Sequence, residues 1–142
     1  MRAVLRAEPE LAGALGGDVA GNAIDLLLQS SWKDNKLVGD AIRERLRAMS
    51  AELEGANPTA IERGLAQRIS ACWLHLAHAE SIYATNMAKA NHRTLEALED
   101  ARDRAHRRYL SAIKALAQVR RLLVPMVQVN VAERQMVANV GK

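Results

Sequence analysis

The sequence predicts an all-α protein, in which a long antiparallel helical hairpin carries two or three shorter N-terminal helices and is followed by an extended C-terminal tail. Three observations lead to this fold class. Apolar residues make up 49% of the 142 residues, which is typical of a chain that folds around a core. Alanine and leucine dominate this apolar fraction while Phe is absent, and both are strong helix formers. Apolar residues also recur at alternating spacings of three and four along two long segments, as they do on one face of a helix.

The first part of the chain predicts the shorter helices. Pro9, followed by an Ala- and Leu-containing run and a pair of glycines, fits a short helix. Asp18 fits the N-cap of a second helix, and residues 30–35 are predicted to form a turn. From Asn35 onward, apolar residues at helical spacing alternate with charged ones, which predicts an amphipathic helix that ends at Gly55.

Two longer helices are predicted to form the hairpin. Asn57 and Pro58 suit the N-cap and the first helical position of the first one, whose apolar seam continues to Met87. A break is predicted at residues 88–91, with Asn91 as the cap of the second helix. Because so short a connection joins two helices of similar length, they are expected to pack side by side in opposite directions.

The second hairpin helix is predicted to span residues 93–124 and to end at Pro125, because proline removes a backbone N–H donor. It has a coiled-coil-like seam of nine positions. These are Leu95, Leu98, Arg102, Ala105, Tyr109, Ala112, Leu116, Val119 and Leu123. The valines that follow Pro125 alternate with polar residues, which is typical of a strand. We therefore expect one helical domain over residues 1–125 and an extended or disordered tail over residues 126–142.

Charge is distributed unevenly along the chain. Residues 1–57 carry seven basic and nine acidic side chains, whereas residues 58–142 carry thirteen and seven. Between Arg104 and Val124 there is no acidic residue at all. This asymmetry indicates an anionic partner, and the net charge of the whole chain is +4.

The basic residues of the second hairpin helix are therefore candidates for contact with nucleic-acid phosphates, for which the arginine guanidinium is well shaped. They are Arg104, Arg107, Arg108, Lys114, Arg120 and Arg121. Two other interpretations stay open. The stripe could be a solvated helix face that also suits the helix dipole, or acidic residues of the N-terminal helices could neutralise it.

The tail is a second candidate for binding. Val127, Val129, Asn130 and Val131 could add a strand to a protein partner or to another copy of this chain. The alternative is a frayed chain end, which is common at termini.

Catalytic and metal-binding motifs are not found in the sequence. It has no glycine-rich phosphate loop, no nucleophile–His–acid pattern and no HExxH, so we expect a protein that is not an enzyme and needs no cofactor. Cys72, His75 and His78 are spaced by three along one helix. The first and last lie about 240° apart around its axis, which argues against a metal site. A single cysteine, no signal-peptide pattern and no membrane-length apolar run predict a cytoplasmic protein.

Several motifs resemble those of a group of short, uncharacterised bacterial helical proteins. The shared pattern is ACWL at residues 71–74, then DRAHRRYL with K.LA.VRRL after it, and a proline followed by a QVN tail. The segment NPTAIERGLAQRI is also similar to that group, so the resemblance covers roughly residues 34–135. The QVN tail is similar to tails of small DNA-packaging or mobile-element accessory proteins, which implies nucleic-acid binding and assigns no site residue.

Together these observations predict a non-enzymatic accessory protein that binds nucleic acid through phosphate contacts as a homo-oligomer. The resemblance of its tail implies a link to a mobile element or to DNA packaging. The alternative function is a helical scaffold or adaptor that binds a protein partner through its C-terminal tail or its helix seam. Neither function involves a membrane.

Overall fold

A computed structural model of the chain describes residues 6–7 and 19–140, and for residue 19 and residues 124–140 it describes the backbone alone. Four α-helices follow one another in the described range from residue 19 onward. They are α1 (Val19–Trp32), α2 (Lys36–Glu54), α3 (Ala60–Asn86) and α4 (His92–Val140). The predicted all-α class is confirmed. The short helix expected near Pro9 lies outside the described residues.

Local capping signals determine where α2 begins and ends. Asn35 is its N-cap, as predicted, and the Asn35 Oδ1 atom accepts a hydrogen bond from the Val38 N–H at 3.3 Å. Gly55 ends the helix with a positive φ of 77°, a conformation that glycine adopts without a steric penalty. The turn before α2 is shorter than predicted, because α1 continues to Trp32.

The N-terminus of α3 differs from the predicted one by two residues. Thr59, and not Asn57, is the N-cap, and its side chain accepts a hydrogen bond from the Glu62 N–H. The Glu62 carboxylate in turn accepts from the Thr59 N–H at 2.8 Å, which completes a capping box. The Thr-x-x-Glu spacing satisfies two donors at once, which explains why it prevails over the single Asn cap.

The hairpin of α3 and α4 is confirmed. Asn91 lies at the start of α4, and its Oδ1 atom accepts from the Thr94 N–H at 2.9 Å, as expected of a cap. Ala105, Ala112 and Leu116 of the predicted α4 seam are buried, and the other six seam residues are partly buried. The two helices run in opposite directions, since Ile69 packs against Leu116 while Tyr83 contacts Glu99.

Two apolar clusters form the core. The first joins Leu28, Leu46 and Leu74 and so holds α1, α2 and α3 together. The second joins Ile69, Ala112 and Leu116, with partly buried residues of α2 packed against it. Helix α3 contacts all three of the other described helices, so it is the central element of the fold.

The predicted end of α4 at Pro125 differs from the structure, in which the backbone of α4 is helical to Val140. A proline inside a helix removes one hydrogen bond and costs roughly 3 kcal/mol. The helix is already long at that point, however, so extending it needs no new nucleation. The alternation from Val127 to Val131 spans only five residues, and good helix formers such as Ala132 and Glu133 follow it.

Within the described part of the chain, no helix is long and apolar enough to cross a membrane.

Candidate anion-binding groove

A shallow groove of about 330 Å³ lies between α3 and α4. Arginines from both helices and small residues of α4 line it. The lining residues are Arg68, Arg107, Arg108, Ser111, Ala112 and Ala115, which we call the basic groove. Arg68 comes from α3 and the other five from α4. A concave surface with convergent positive side chains suits an anionic ligand.

Helical periodicity explains why these α4 residues share one side of the helix. Arg104, Arg108, Ser111 and Ala115 follow one another at spacings of four, three and four, so they form a single stripe beside the buried seam. Arg107 lies next to this stripe, on the outer face. Positions seven residues apart on α4 continue that outer face to Lys114 and Arg121, both of which are exposed. We call Arg107, Lys114 and Arg121 the outer stripe.

The packing of the hairpin brings Arg68 to this stripe. Ile69, its neighbour in α3, is buried against Ala112 and Leu116 of α4. This contact fixes how far α3 is shifted along α4, and it places Arg68 on the rim opposite Arg107 and Arg108. The buried pair Ile69 and Leu116 therefore determines the geometry of the groove.

The three arginines of the groove are exposed, and none of them forms an ion pair within the part of the chain that the structure describes. Some arginines elsewhere do form ion pairs. Arg43 pairs with Asp25 at 2.8 Å, and Arg47 pairs with Glu44 at 2.7 Å. The groove consequently concentrates positive charge that the described acidic side chains do not neutralise. Such a surface attracts anions.

The positive charge of the groove affects the ionisation of His75. It lies seven residues after Arg68, about two turns along the same side of α3, and it is partly buried. The pKa of His75 is lowered from its ordinary value of 6.5 by burial, then by the positive charge of Arg108, and then by His78. A neutral imidazole next to the groove is the expected result at neutral pH.

Arg104 was predicted as a site residue and lies on the same α4 stripe as Arg108, one turn before it. Its side chain is 54% exposed, and its Nη1 atom lies 4.0 Å from the Asp100 carboxylate. That distance is at the limit for an ion pair, and exposed pairs of this kind contribute little stability. Arg104 therefore extends the positive surface beyond the groove.

Arg120 was also predicted as a site residue, and the structure places it on a different side of α4. It lies 3.3 Å from the Glu62 carboxylate, and its guanidinium donates to the carbonyl oxygens of Leu53 and Glu54. Arg120 thus links the C-terminus of α2 and the capping box of α3 to α4. Because these contacts use its donors within the fold, we assign Arg120 a structural role and leave it out of the candidate site.

The predicted tail residues cannot be placed as a site. The side chains of Val127, Val129, Asn130 and Val131 lie outside the described residues, although the backbone there is helical. A strand-adding role for this segment stays a prediction.

The histidine and cysteine pattern of α3 has structural explanations. Cys72 is a buried residue of the core. His78 faces α1, where its Nδ1 atom lies 3.1 Å from the Ser31 hydroxyl and its ring packs edge-on against Trp32. No three His, Cys, Asp or Glu side chains of the described residues group closely enough to hold a metal ion.

Arg68 is not among the predicted site residues, because the charge pattern that predicts them is that of α4 alone. The signal that could have found it is the alignment of the two seams across the hairpin. If Ile69 is set opposite Leu116, the preceding arginine lies beside the basic stripe of α4. That alignment depends on contacts between residues far apart in sequence, which periodicity within one helix does not reveal.

Comparisons of the chain with protein-family models, curated proteins and solved structures find no match. The resemblance to the bacterial group that shares the ACWL and QVN motifs accordingly stays a prediction.

Proposed function

We propose that this protein is a non-enzymatic accessory protein that binds nucleic acid through phosphate contacts, with the basic groove as the primary contact. The observation that carries the proposal is the convergence of Arg68, Arg107 and Arg108, from two helices, without acidic partners in the described chain. Guanidinium groups form forked hydrogen bonds with phosphate oxygens.

The outer stripe favours a ligand with several negative charges in a row over a single small anion. Lys114 and Arg121 continue the positive surface from Arg107 along α4, at intervals of seven residues or about 10.5 Å. A nucleic-acid backbone presents phosphates repeatedly along its length, so it could contact the groove and the stripe together. No aromatic side chain lines the groove, which favours backbone contact over base stacking.

The proposal also includes a cytoplasmic location and self-association. Self-association would place several grooves on one assembly and would raise the apparent affinity for a long polyanion without any new contact. Light scattering on the same samples measures the mass of the assembly with and without an oligonucleotide.

The test is binding of labelled duplex and single-stranded oligonucleotides, measured by fluorescence anisotropy between about 50 and 200 mM salt. The variant R68Q/R107Q/R108Q removes the three groove charges. We expect its affinity to be at least about tenfold weaker at low salt, and its plot of log K against log salt to be shallower by about 0.7–0.9 for each lost contact.

A matched control removes the same number of charges elsewhere. The variant R45Q/R47Q/R93Q changes three arginines that are also exposed and helical but lie away from the groove. We expect it to bind almost as the parent does. Equal weakening of both variants would show that total charge, and not the groove, governs binding. A parent that fails to bind at the lowest salt would contradict the proposal and leave the alternative, a helical adaptor for a protein partner.

A further inference from the structure

The charge of the basic groove exceeds what one internal phosphate of a nucleic-acid strand can neutralise. Three arginines contribute to the lining of a groove of about 330 Å³, and the described residues supply no acidic partner to them. An internal phosphodiester carries one negative charge. A phosphomonoester carries about −1.5 to −2 at pH 7 and has three terminal oxygens that accept hydrogen bonds. The groove thus matches a phosphomonoester more closely in charge.

The shape of the groove supports the same ligand. Arg68 lies on one helix while Arg107 and Arg108 lie on the other, so a ligand in the groove is within reach of donors from both helices. Three free oxygens can accept from both sides at once, whereas a phosphodiester has only two. Ser111 adds a hydroxyl on the rim, and the small side chains of Ala112 and Ala115 leave room for a compact group to settle between the helices.

We propose that the basic groove binds the terminal phosphate of a nucleic-acid strand in preference to an internal phosphodiester. This inference rests on the proposed function and specifies which part of the nucleic acid the groove recognises. The outer stripe would then contact the phosphates that follow the strand end, through Lys114 and Arg121. That continuation favours a nucleic-acid end over a phosphorylated peptide, which need not present a row of negative charges.

The experiment compares two oligonucleotides of one sequence, labelled at the 3′ end, that carry either a 5′-phosphate or a 5′-hydroxyl. Dissociation constants are measured by anisotropy at a fixed low salt concentration. We expect the full-length protein to bind the 5′-phosphorylated strand at least about tenfold more tightly, which is the range expected for charge-assisted hydrogen bonds. For R68Q we expect the ratio to fall close to one, because the donor from α3 is lost.

Two controls test whether the preference for the 5′-phosphorylated strand arises in the basic groove. R45Q/R47Q/R93Q should keep the full preference, since it leaves the groove intact. The second readout is the NMR signal of the His75 ring, which lies near Arg108 and should shift more with the 5′-phosphorylated strand than with the 5′-hydroxyl strand. This readout does not depend on any substitution being tolerated by the fold.

The outcomes separate this inference from the proposed function. Equal affinity for the two strands, with weakening of both by R68Q/R107Q/R108Q, would overturn the terminal-phosphate inference and keep nucleic-acid binding. Failure of the parent to bind either strand would overturn both. Tighter binding of a phosphoserine peptide than of the 5′-phosphorylated strand would overturn the inference in favour of a protein partner.

Discussion

His75 and Arg108 show how a residue of the basic groove affects the ionisation of a side chain beside the groove. The pKa of His75 is lowered first by burial and then by the charge of Arg108. In the unfolded chain His75 regains an ordinary pKa of about 6.5. Below that value the unfolded chain therefore binds a proton that the folded protein resists, and folding becomes less favourable as the pH falls.

The lowered pKa of His75 leads to a testable pH dependence of stability. The free energy of unfolding, measured with urea from about pH 7.5 to pH 5.5, should decrease as the pH falls through about 6.5. R108Q should weaken this decrease, because it removes one of the causes of the lowered pKa. R93Q, which changes an exposed arginine at the start of α4, should leave the slope unchanged. Identical slopes for the parent and R108Q would show that Arg108 does not act on His75.

Another residue-scale feature explains why an arginine occupies a seam position of α4. The guanidinium carbon of Arg102 lies 4.7 Å from the centre of the Tyr83 ring, and the Tyr83 hydroxyl donates to Glu99 at 3.0 Å. The hydrogen bond to Glu99 is the main cause that raises the pKa of Tyr83. The guanidinium of Arg102 lies over the ring, and its side chain is 36% exposed, so the charge stays near water and the seam tolerates it.

At the scale of helices, the α3–α4 hairpin depends on a few buried side chains of its seam. Leu116 is 3% exposed and packs in the cluster with Ile69 and Ala112. Leu122, six residues later, is 72% exposed. The two leucines thus offer a matched pair within one helix, of which only the first contributes to the core.

Replacing each leucine with alanine tests this assignment. L116A should lower the free energy of unfolding by roughly 2–5 kcal/mol, through lost burial and a residual cavity. L122A should change it by less than about 0.5 kcal/mol, since an exposed side chain leaves no cavity. Chemical denaturation followed by circular dichroism measures both. Similar effects of the two substitutions would mean that the buried face of α4 is wrongly assigned.

At the scale of the whole molecule, Arg120 connects helices that are far apart in sequence. It joins the last carbonyl groups of α2 and the capping carboxylate Glu62 of α3 to the second half of α4. Glu62 is itself held by Thr59, whose hydrogen bonds are the main cause of its lowered pKa, with Arg120 adding to the effect. A single cation thereby satisfies acceptors on two other helices.

We predict that R120Q lowers the melting temperature by about 2–5 °C, because it leaves these acceptors without their charged donor. Removing one positive charge weakens nucleic-acid binding slightly wherever the charge lies. Apart from that effect, the affinity of R120Q should stay within about twofold of the parent, because Arg120 lies outside the groove. Differential scanning calorimetry and anisotropy on the same sample give both values. An unchanged melting temperature together with much weaker binding would show that Arg120 belongs to the ligand surface.

The sequence alone determined the helical class, the α3–α4 hairpin, the cap at Asn35 and the buried seam of α4. These features follow from the spacing of residues a few positions apart. In a helix, that spacing determines which residues share one face and where the helix begins or ends. The Thr59–Glu62 capping box has the same kind of short-range spacing, although the Asn57-Pro58 pair predicts an N-cap two residues earlier. The continuation of α4 beyond Pro125 does not follow from the local pattern, because the proline and the valine alternation after it both predict the end of a helix.

Only the tertiary structure decided what the arginines do. Arg68 and Arg108 are forty residues apart in sequence, and they line one groove because Ile69 packs against Ala112 and Leu116. Arg120, which belongs to the same basic run as Arg108, instead contacts Glu62 across 58 residues. Local periodicity assigns a charge to a face of its own helix. The partner of that charge depends on the alignment of neighbouring helices, which the packing of distant apolar side chains sets.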